Sequence, residues 1–179
     1  MRKALCETAR LILRELEPSD FNDLAEIMRD GEVKRVYEHI FTDEDIYEWL
    51  NRQTDRYRRY GFGLWAAELK ESGEIIGQAG LTIQLCDDTE VLEIGYLLKE
   101  KFRHKGFATE AAKGCMLYAF KKLDSNKVYS IIKKDNLPSI RVAKRLGMKI
   151  EKEFTARYYN GDMPHYLFSA EREGNTLWK

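Results

Sequence analysis

The chain has 179 residues, 44% hydrophobic and 34% charged, with as many acidic as basic side chains. That length supports one substantial core and is cramped for two, so a single domain over residues 1–179 is expected. The first residues are charged, no apolar run is long enough to span a bilayer, and Cys6, Cys86 and Cys115 fit neither disulfide nor zinc spacing. A leader peptide, a membrane partner and a metal are therefore not expected, and the cytoplasm is the expected location.

The charge is unevenly placed. Residues 99–149 hold 14 Lys and Arg against 4 Asp and Glu, and the rest of the chain holds 16 against 26. A basic segment suits a polyanionic ligand and an acidic remainder suits a cationic one, and a solvated surface accounts equally well for either bias. Aromatic residues do not interleave with the basic segment, so nucleic acid is not an expected partner.

In chain order, alternating apolar residues predict a first strand over Thr8 to Leu16. Pro18-Ser19-Asp20 then opens a helix that buries Phe21, Leu24, Ile27 and Met28. Thr42 and Asp45 form a capping-box pattern ahead of Ile46, Trp49, Leu50, Gln53, Tyr57 and Tyr60, which places a second helix there with an aromatic stripe. Such a stripe serves either as core or as a binding surface. Leu64 to Leu69 and Ile75 to Leu85 read as strands joined by a turn.

Val91 to Leu98 is a further strand with Leu92, Ile94, Tyr96 and Leu98 on one face and Val91, Glu93, Gly95 and Leu97 on the other. Glu93 thus sits among apolar and small neighbours. A helix with a broad apolar face follows from Ala108 to Leu123, then a strand from Lys127 to Lys133 and a short helix from Pro138 to Leu146 that Gly147 ends. A hairpin, Lys149 to Tyr158 and Met163 to Glu171, turns at Asn160-Gly161-Asp162. The order β-αα-βββ-α-β-α-ββ is a mixed α/β arrangement of about seven strands and about four helices.

The junction from the Val91–Leu98 strand into the next helix carries the chemistry. The first N–H groups of a helix lack internal partners and lie at its positive end, where they bind phosphate oxygens if side chains stay clear. In Arg103-His104-Lys105-Gly106-Phe107-Ala108-Thr109, Gly106 and Ala108 keep that space open. The N–H groups from Lys105 to Thr109 are the candidate cradle, with Arg103 and Lys105 as mobile positive charge. The spacing fits neither a P-loop nor a dinucleotide-binding fingerprint. A simple turn and helix cap would use the same residue types. The histidines His39, His104 and His165 are scattered and suit surface or hydrogen-bonded roles, and Cys115 suits the core.

Glu93-Ile94-Gly95-Tyr96 together with Arg103 through Ala111 resembles the acetyl-coenzyme A motif of the GNAT superfamily of N-acetyltransferases. Thr8-Ala9-Arg10-Leu11-Ile12-Leu13-Arg14 resembles the first strand of the RimJ/RimL type. Asn136-x-x-Ser139-x-x-Val142 through Leu146-Gly147-Met148 resembles its later helix. The likeness covers Thr8 to Glu171, with mild departures at Arg103, where Gln is also frequent, at Ala108, where Gly is frequent, and at Met148, where Phe is usual. It implies a mostly antiparallel sheet that splays between the Val91–Leu98 and Lys127–Lys133 strands, strands 4 and 5 of the expected seven. Acetyl-CoA would be the cosubstrate, its pantetheine arm lying in the slot against the backbone of Tyr96, Leu97 and Leu98. An N–H of Leu97 or Leu98 would polarise the thioester carbonyl.

Within that resemblance the transfer needs a proton acceptor for the amine and a proton for the departing thiolate. Glu93, its basicity raised by desolvation, is the candidate base, with a structural ion pair or mere orientation of the amine as the alternative. Ser139 holds the position that the RimJ/RimL type associates with the leaving sulfur, though Asn136-x-Pro138-Ser139 is also ordinary helix-start chemistry. The tyrosine many relatives have four residues later is Ala143 here. Asn136 either touches the cofactor or holds the strand–helix junction. The implied acceptor is a primary amine, a protein N-terminus or a small polyamine-like or antibiotic-like molecule, and because the resemblance sets the second helix beside its site, Trp49, Tyr57, Tyr60 and Phe62 would wall it, with core packing as the alternative. A non-catalytic acyl-CoA-binding module is the alternative from another class, and monomer and homodimer are both compatible with the sequence.

Overall fold

The structure is a computed structural model that describes residues 4–173. Among these residues one sheet runs in the order β1-β2-β3-β4-β5-β6-β8-β7. The strands are β1 (Ala4–Glu7), β2 (Leu11–Arg14), β3 (Leu64–Leu69), β4 (Ile75–Cys86), β5 (Thr89–Leu98), β6 (Lys127–Lys133), β7 (Lys149–Tyr158) and β8 (Gly161–Glu171). The helices are α1 (Phe21–Met28), α2 (Gly31–Tyr37), α3 (Asp43–Tyr60), α4 (Phe107–Lys121) and α5 (Leu137–Arg145).

The mixed α/β, mostly antiparallel sheet agrees with the sequence expectation, with one strand and one helix added. The first strand is shorter than the expected Thr8–Leu16 span. Thr8 N–H donates to the Leu11 carbonyl at 2.9 Å and closes a turn, so the chain before it folds back as β1. The added helix, α2, starts where the Asp30 carboxylate accepts from Glu32 N–H at 2.9 Å. It buries little beyond Val33, which is too weak a periodic signal to read from the sequence.

Both faces of the sheet are covered. In β3, Trp65 and Ala67 pack toward α4 while Leu64 and Ala66 pack toward α1, α2 and α3. The two-residue side-chain alternation thus feeds two separate cores. Thr42 caps α3 as expected: its hydroxyl accepts from Asp45 N–H at 3.2 Å, and the Asp45 carboxylate accepts from Thr42 N–H at 2.8 Å. Arg14 is buried against Asp20, with both terminal nitrogens engaged, and against Glu68, which pins β2 to the entry of α1.

All strand pairs are antiparallel except β5 with β6. Parallel neighbours need a crossover, and α4 supplies it. The pairing is short: the β5–β6 register is the single pair Glu93 and Tyr129, whereas β4 and β5 stay in register from Gly77–Leu98 to Cys86–Thr89. Beyond Glu93 the sheet forks.

Candidate functional site

A cavity of about 570 Å³ passes through the fork. It is lined on the α4 side by the loop after β5 and by α5, and on the other side by α2, α3 and the β7–β8 hairpin. The size is that of a small-molecule site.

The phase of β5 decides which backbone groups face this opening. Lys99 N–H donates to the Ile76 carbonyl at 2.9 Å. Antiparallel alternation then turns the amides of Leu97, Gly95 and Glu93 toward β4, and those of Leu98, Tyr96 and Ile94 away from it. Ser130 Oγ, donating to the Ile94 carbonyl at 3.0 Å from the β6 side, agrees with that phase. The Leu98 carbonyl is taken by the Arg103 guanidinium at 2.9 Å. The Leu98 N–H and both backbone groups of Tyr96 are left facing the fork. Leu97, expected as a backbone contact, has its amide in the β4 ladder, and its side chain packs against the core on the α1 and α3 face.

The loop after β5 is shaped by two left-handed residues, His104 (φ 60) and Gly106 (φ 82). Glycine adopts this conformation without strain, and a Cβ at Gly106 would lie 3.4 Å from Arg10 Nη2. The N–H groups of Lys105 through Thr109 have no acceptor among the described residues, and they open at the start of α4. Glu110 in that first turn accepts from Thr8 Oγ1 and Arg10 Nε, both at 2.6 Å. Arg10 also donates to the Lys105 carbonyl at 3.2 Å and lies 4.1 Å from the Phe107 ring centre. The first-strand motif and the loop motif therefore hold each other, a tertiary contact that the sequence does not display.

Two expectations at this loop, those for the Arg103 and Lys105 side chains, are corrected. Arg103 is not mobile charge: Asp30 and the Leu98 carbonyl hold its guanidinium, with Glu32 3.6 Å away. The Lys105 side chain lies outside the cavity wall, its ammonium 5.6 Å from the Phe102 ring. The Phe107 side chain is buried in the main core. Lys105 and Phe107 thus bring only their N–H groups. His104, Gly106, Ala108 and Thr109 line the cavity.

Glu93 stands at the branch point. Its carboxylate accepts from Thr82 Oγ1 at 3.1 Å and from Ile131 N–H at 3.3 Å, so it bridges the two diverging strands. Gln84 Nε2 donates to the Thr82 hydroxyl at 3.0 Å behind it. Burial pushes its carboxyl up to about 7, against the opposing pull of the Thr82 and Ile131 hydrogen bonds and the Arg56 charge. A carboxyl titrating there that touches an open cavity is a suitable acceptor for an amine proton.

On the other face of β5, the Tyr96 hydroxyl donates to the Ser139 carbonyl at 3.2 Å, and burial raises its phenol. Ser139 lines the cavity, and its N–H donates to Asn136 Oδ1 at 3.3 Å. Asn136 therefore caps α5 and lines the cavity as well. The hydroxyl of Tyr96 beside Ser139 escaped the sequence reading because 43 residues separate them.

Of the four aromatics weighed as a site wall, Trp49 lines the cavity, its indole N–H donating to Gln78 at 3.0 Å. Tyr57 instead bonds the Leu64 carbonyl and Leu16 N–H, Phe62 joins the core, and Tyr60 stacks on Phe62 away from the cavity wall. Tyr37 and Tyr158 are lining residues missed by the sequence, edge to face at 5.8 Å. His165, also on the wall, is held toward its neutral form by burial.

Residues 10–149 match the sequence profile of the acetyltransferase (GNAT) domain. The chain is 34% identical to the uncharacterized protein YkkB of Bacillus subtilis, covering 89% of this chain and 92% of the relative. It is 26% identical to spermidine N(1)-acetyltransferase of Escherichia coli, covering 93% and 94%. A solved structure of RimL, a ribosomal L7/L12 α-N-protein acetyltransferase, in complex with coenzyme A superposes with a TM-score of 0.76 at 17% identity, covering 94% and 98%, a likeness of fold. The chain belongs to the GNAT acetyltransferase family, whose chemistry is N-acetylation from acetyl-CoA.

Proposed function

We propose that this chain is a single-domain cytoplasmic N-acetyltransferase that passes acetyl directly from acetyl-CoA to a primary amine, with both substrates bound together across the fork. The observation that carries the reading is the cavity through the sheet, with a free-amide loop on one side and the Glu93 carboxylate at its branch point.

The loop amides from Lys105 to Thr109 suit the pyrophosphate, and the unpaired backbone of Tyr96 suits an amide of the pantetheine arm. The N–H of Leu98 is the donor for the thioester oxygen, where negative charge develops. Acetyl-CoA supplies the activated acyl group, and the protein must remove one proton and return another. Glu93 takes the proton from the attacking amine, directly or through a water, because its own affinity for protons is near that needed at neutral pH. Ser139 and Tyr96 both line the cavity where β5 meets α5, and their hydroxyls serve the departing sulfur. Direct transfer needs no covalent enzyme intermediate, and the one cysteine on the α4 core face, Cys115, is buried with its thiol pushed well up by desolvation.

The test combines release of free CoA thiol with mass detection of the acetylated amine across amino acids, peptides and polyamines. Stoichiometric product and thiol support the reading. Stabilisation by CoA without transfer to any amine sinks it and leaves the non-catalytic binding module.

A further inference from the structure

The side of the cavity beyond Glu93 is charged in an unexpected way. Arg52 and Arg56 both line it, one helical turn apart on α3. Like charges at that spacing repel, so the pair weakens the free protein slightly. Among the described residues neither arginine has a carboxylate within ion-pair distance, nor do Arg141 and Arg145 on the α5 side, whereas two other lining cations do. Arg103 is held by Asp30, and Lys133 lies 2.7 Å from Glu38 and 3.7 Å from Asp135. Glu32, the other lining acid, is engaged by Arg103 and by Arg35 at 3.3 Å.

The two arginines are nevertheless held in place. Arg56 Nη1 donates to Gln53 Oε1 at 3.2 Å, and that same oxygen accepts from Leu64 N–H at 3.0 Å. The Arg52 guanidinium lies 5.2 Å from the Trp49 ring centre. Arg56 is half-buried, and desolvation together with the Arg52 charge makes its positive form harder to keep. Against this pair stands one carboxylate, Glu93.

We propose that the acceptor is a primary amine that also carries a carboxylate, which Arg52 and Arg56 bind while its amino group is presented to Glu93. This rests on the acetyl-transfer reading above and names its substrate class. A planar guanidinium matches a carboxylate in two-point hydrogen bonding, and an anion between Arg52 and Arg56 relieves their repulsion. A polyamine, the acceptor named for the Escherichia coli relative, would instead bring its second ammonium against two arginines. The carboxylate belongs either to a free amino acid or to an acidic side chain near a peptide N-terminus.

The test uses the full chain at saturating acetyl-CoA and reads kcat/KM by thiol release. One arm compares L-methionine, L-leucine and L-phenylalanine with their α-amides. A second compares serinyl-aspartyl amide with serinyl-asparaginyl amide, and spermidine is the third. The acid is expected to exceed its amide by about tenfold or more in one arm, which identifies the source of the carboxylate. The preference should collapse in Arg52→Gln/Arg56→Gln, mainly through KM, while stabilisation by CoA persists. If the double variant does not fold, Arg52→Gln alone, at an exposed position, should reduce the preference. Amides or spermidine used as well as the acids, or a preference that survives the substitutions, overturns the inference and leaves acetyl transfer standing. Absence of transfer to every amine removes the acetyl-transfer reading and this one with it.

Discussion

The two walls of the cavity present different atoms. The α4 wall offers backbone: the free N–H groups of Lys105 to Thr109 and the unpaired amides of Tyr96 and Leu98. The α3 wall offers side chains: Glu93, Thr82, Arg52, Arg56 and Tyr37 from four separate elements. On the proposed function, backbone groups recognise what all reactions of this kind share, a phosphate-bearing thioester, and they tolerate many side chains so long as the chain path is kept. On the same proposal, side chains recognise what differs, and acceptor choice and proton transfer belong to the wall built from them.

The sharpest test of that division is Glu93→Gln. It keeps the size of the side chain and its acceptor oxygen for Thr82, and removes the base. Turnover at pH 8 is expected to fall by about 10²- to 10³-fold while stabilisation by CoA is unchanged. The parent rate should rise with pH and level off above about 7, since only the ionised carboxylate accepts a proton, and that break should vanish in the variant. A loss of CoA binding, or a break retained without Glu93, would mean that the two walls are not functionally separate.

Gly106→Ala attacks the other wall through the chain path. A β-carbon at φ 82 costs roughly 1–2 kcal/mol, so the loop shifts and the apparent affinity for acetyl-CoA should drop about tenfold, with kcat at saturation nearly kept. Calorimetric titration with CoA checks it. Ser139→Ala and Tyr96→Phe each remove one hydroxyl from the boundary between the walls. Each should lower kcat about threefold to tenfold, with the deficit shrinking for acetyl donors whose thiol is more acidic. Lys105→Ala makes the smallest change. With its side chain off the cavity wall, it should move the KM for acetyl-CoA by less than about twofold, measured at physiological salt.

Much of the framework of both walls is legible in the sequence. The Thr42–Asp45 cap, the strand alternation around Glu93, and a glycine just ahead of a broad apolar helix are local patterns, and the structure forms the matching elements over nearly the expected residues. Helix α2 was not legible, because seven residues burying little beyond one valine produce no period. Nor was the role of Arg103: a basic residue beside a phosphate-type loop looks free until Asp30, 73 positions earlier, is folded against it.

The sequence alone determined the order of seven of the strands and four of the helices, the family resemblance and the glycine-containing loop ahead of α4, since each depends on neighbours a few residues apart. Only the tertiary structure decided which amides face the fork, that Tyr96 reaches Ser139, that Arg52 and Arg56 go unpaired beside Glu93, and that this carboxyl is held near 7. Those properties depend on the phase of a strand ladder and on burial among distant segments, and no local pattern in a single chain encodes either.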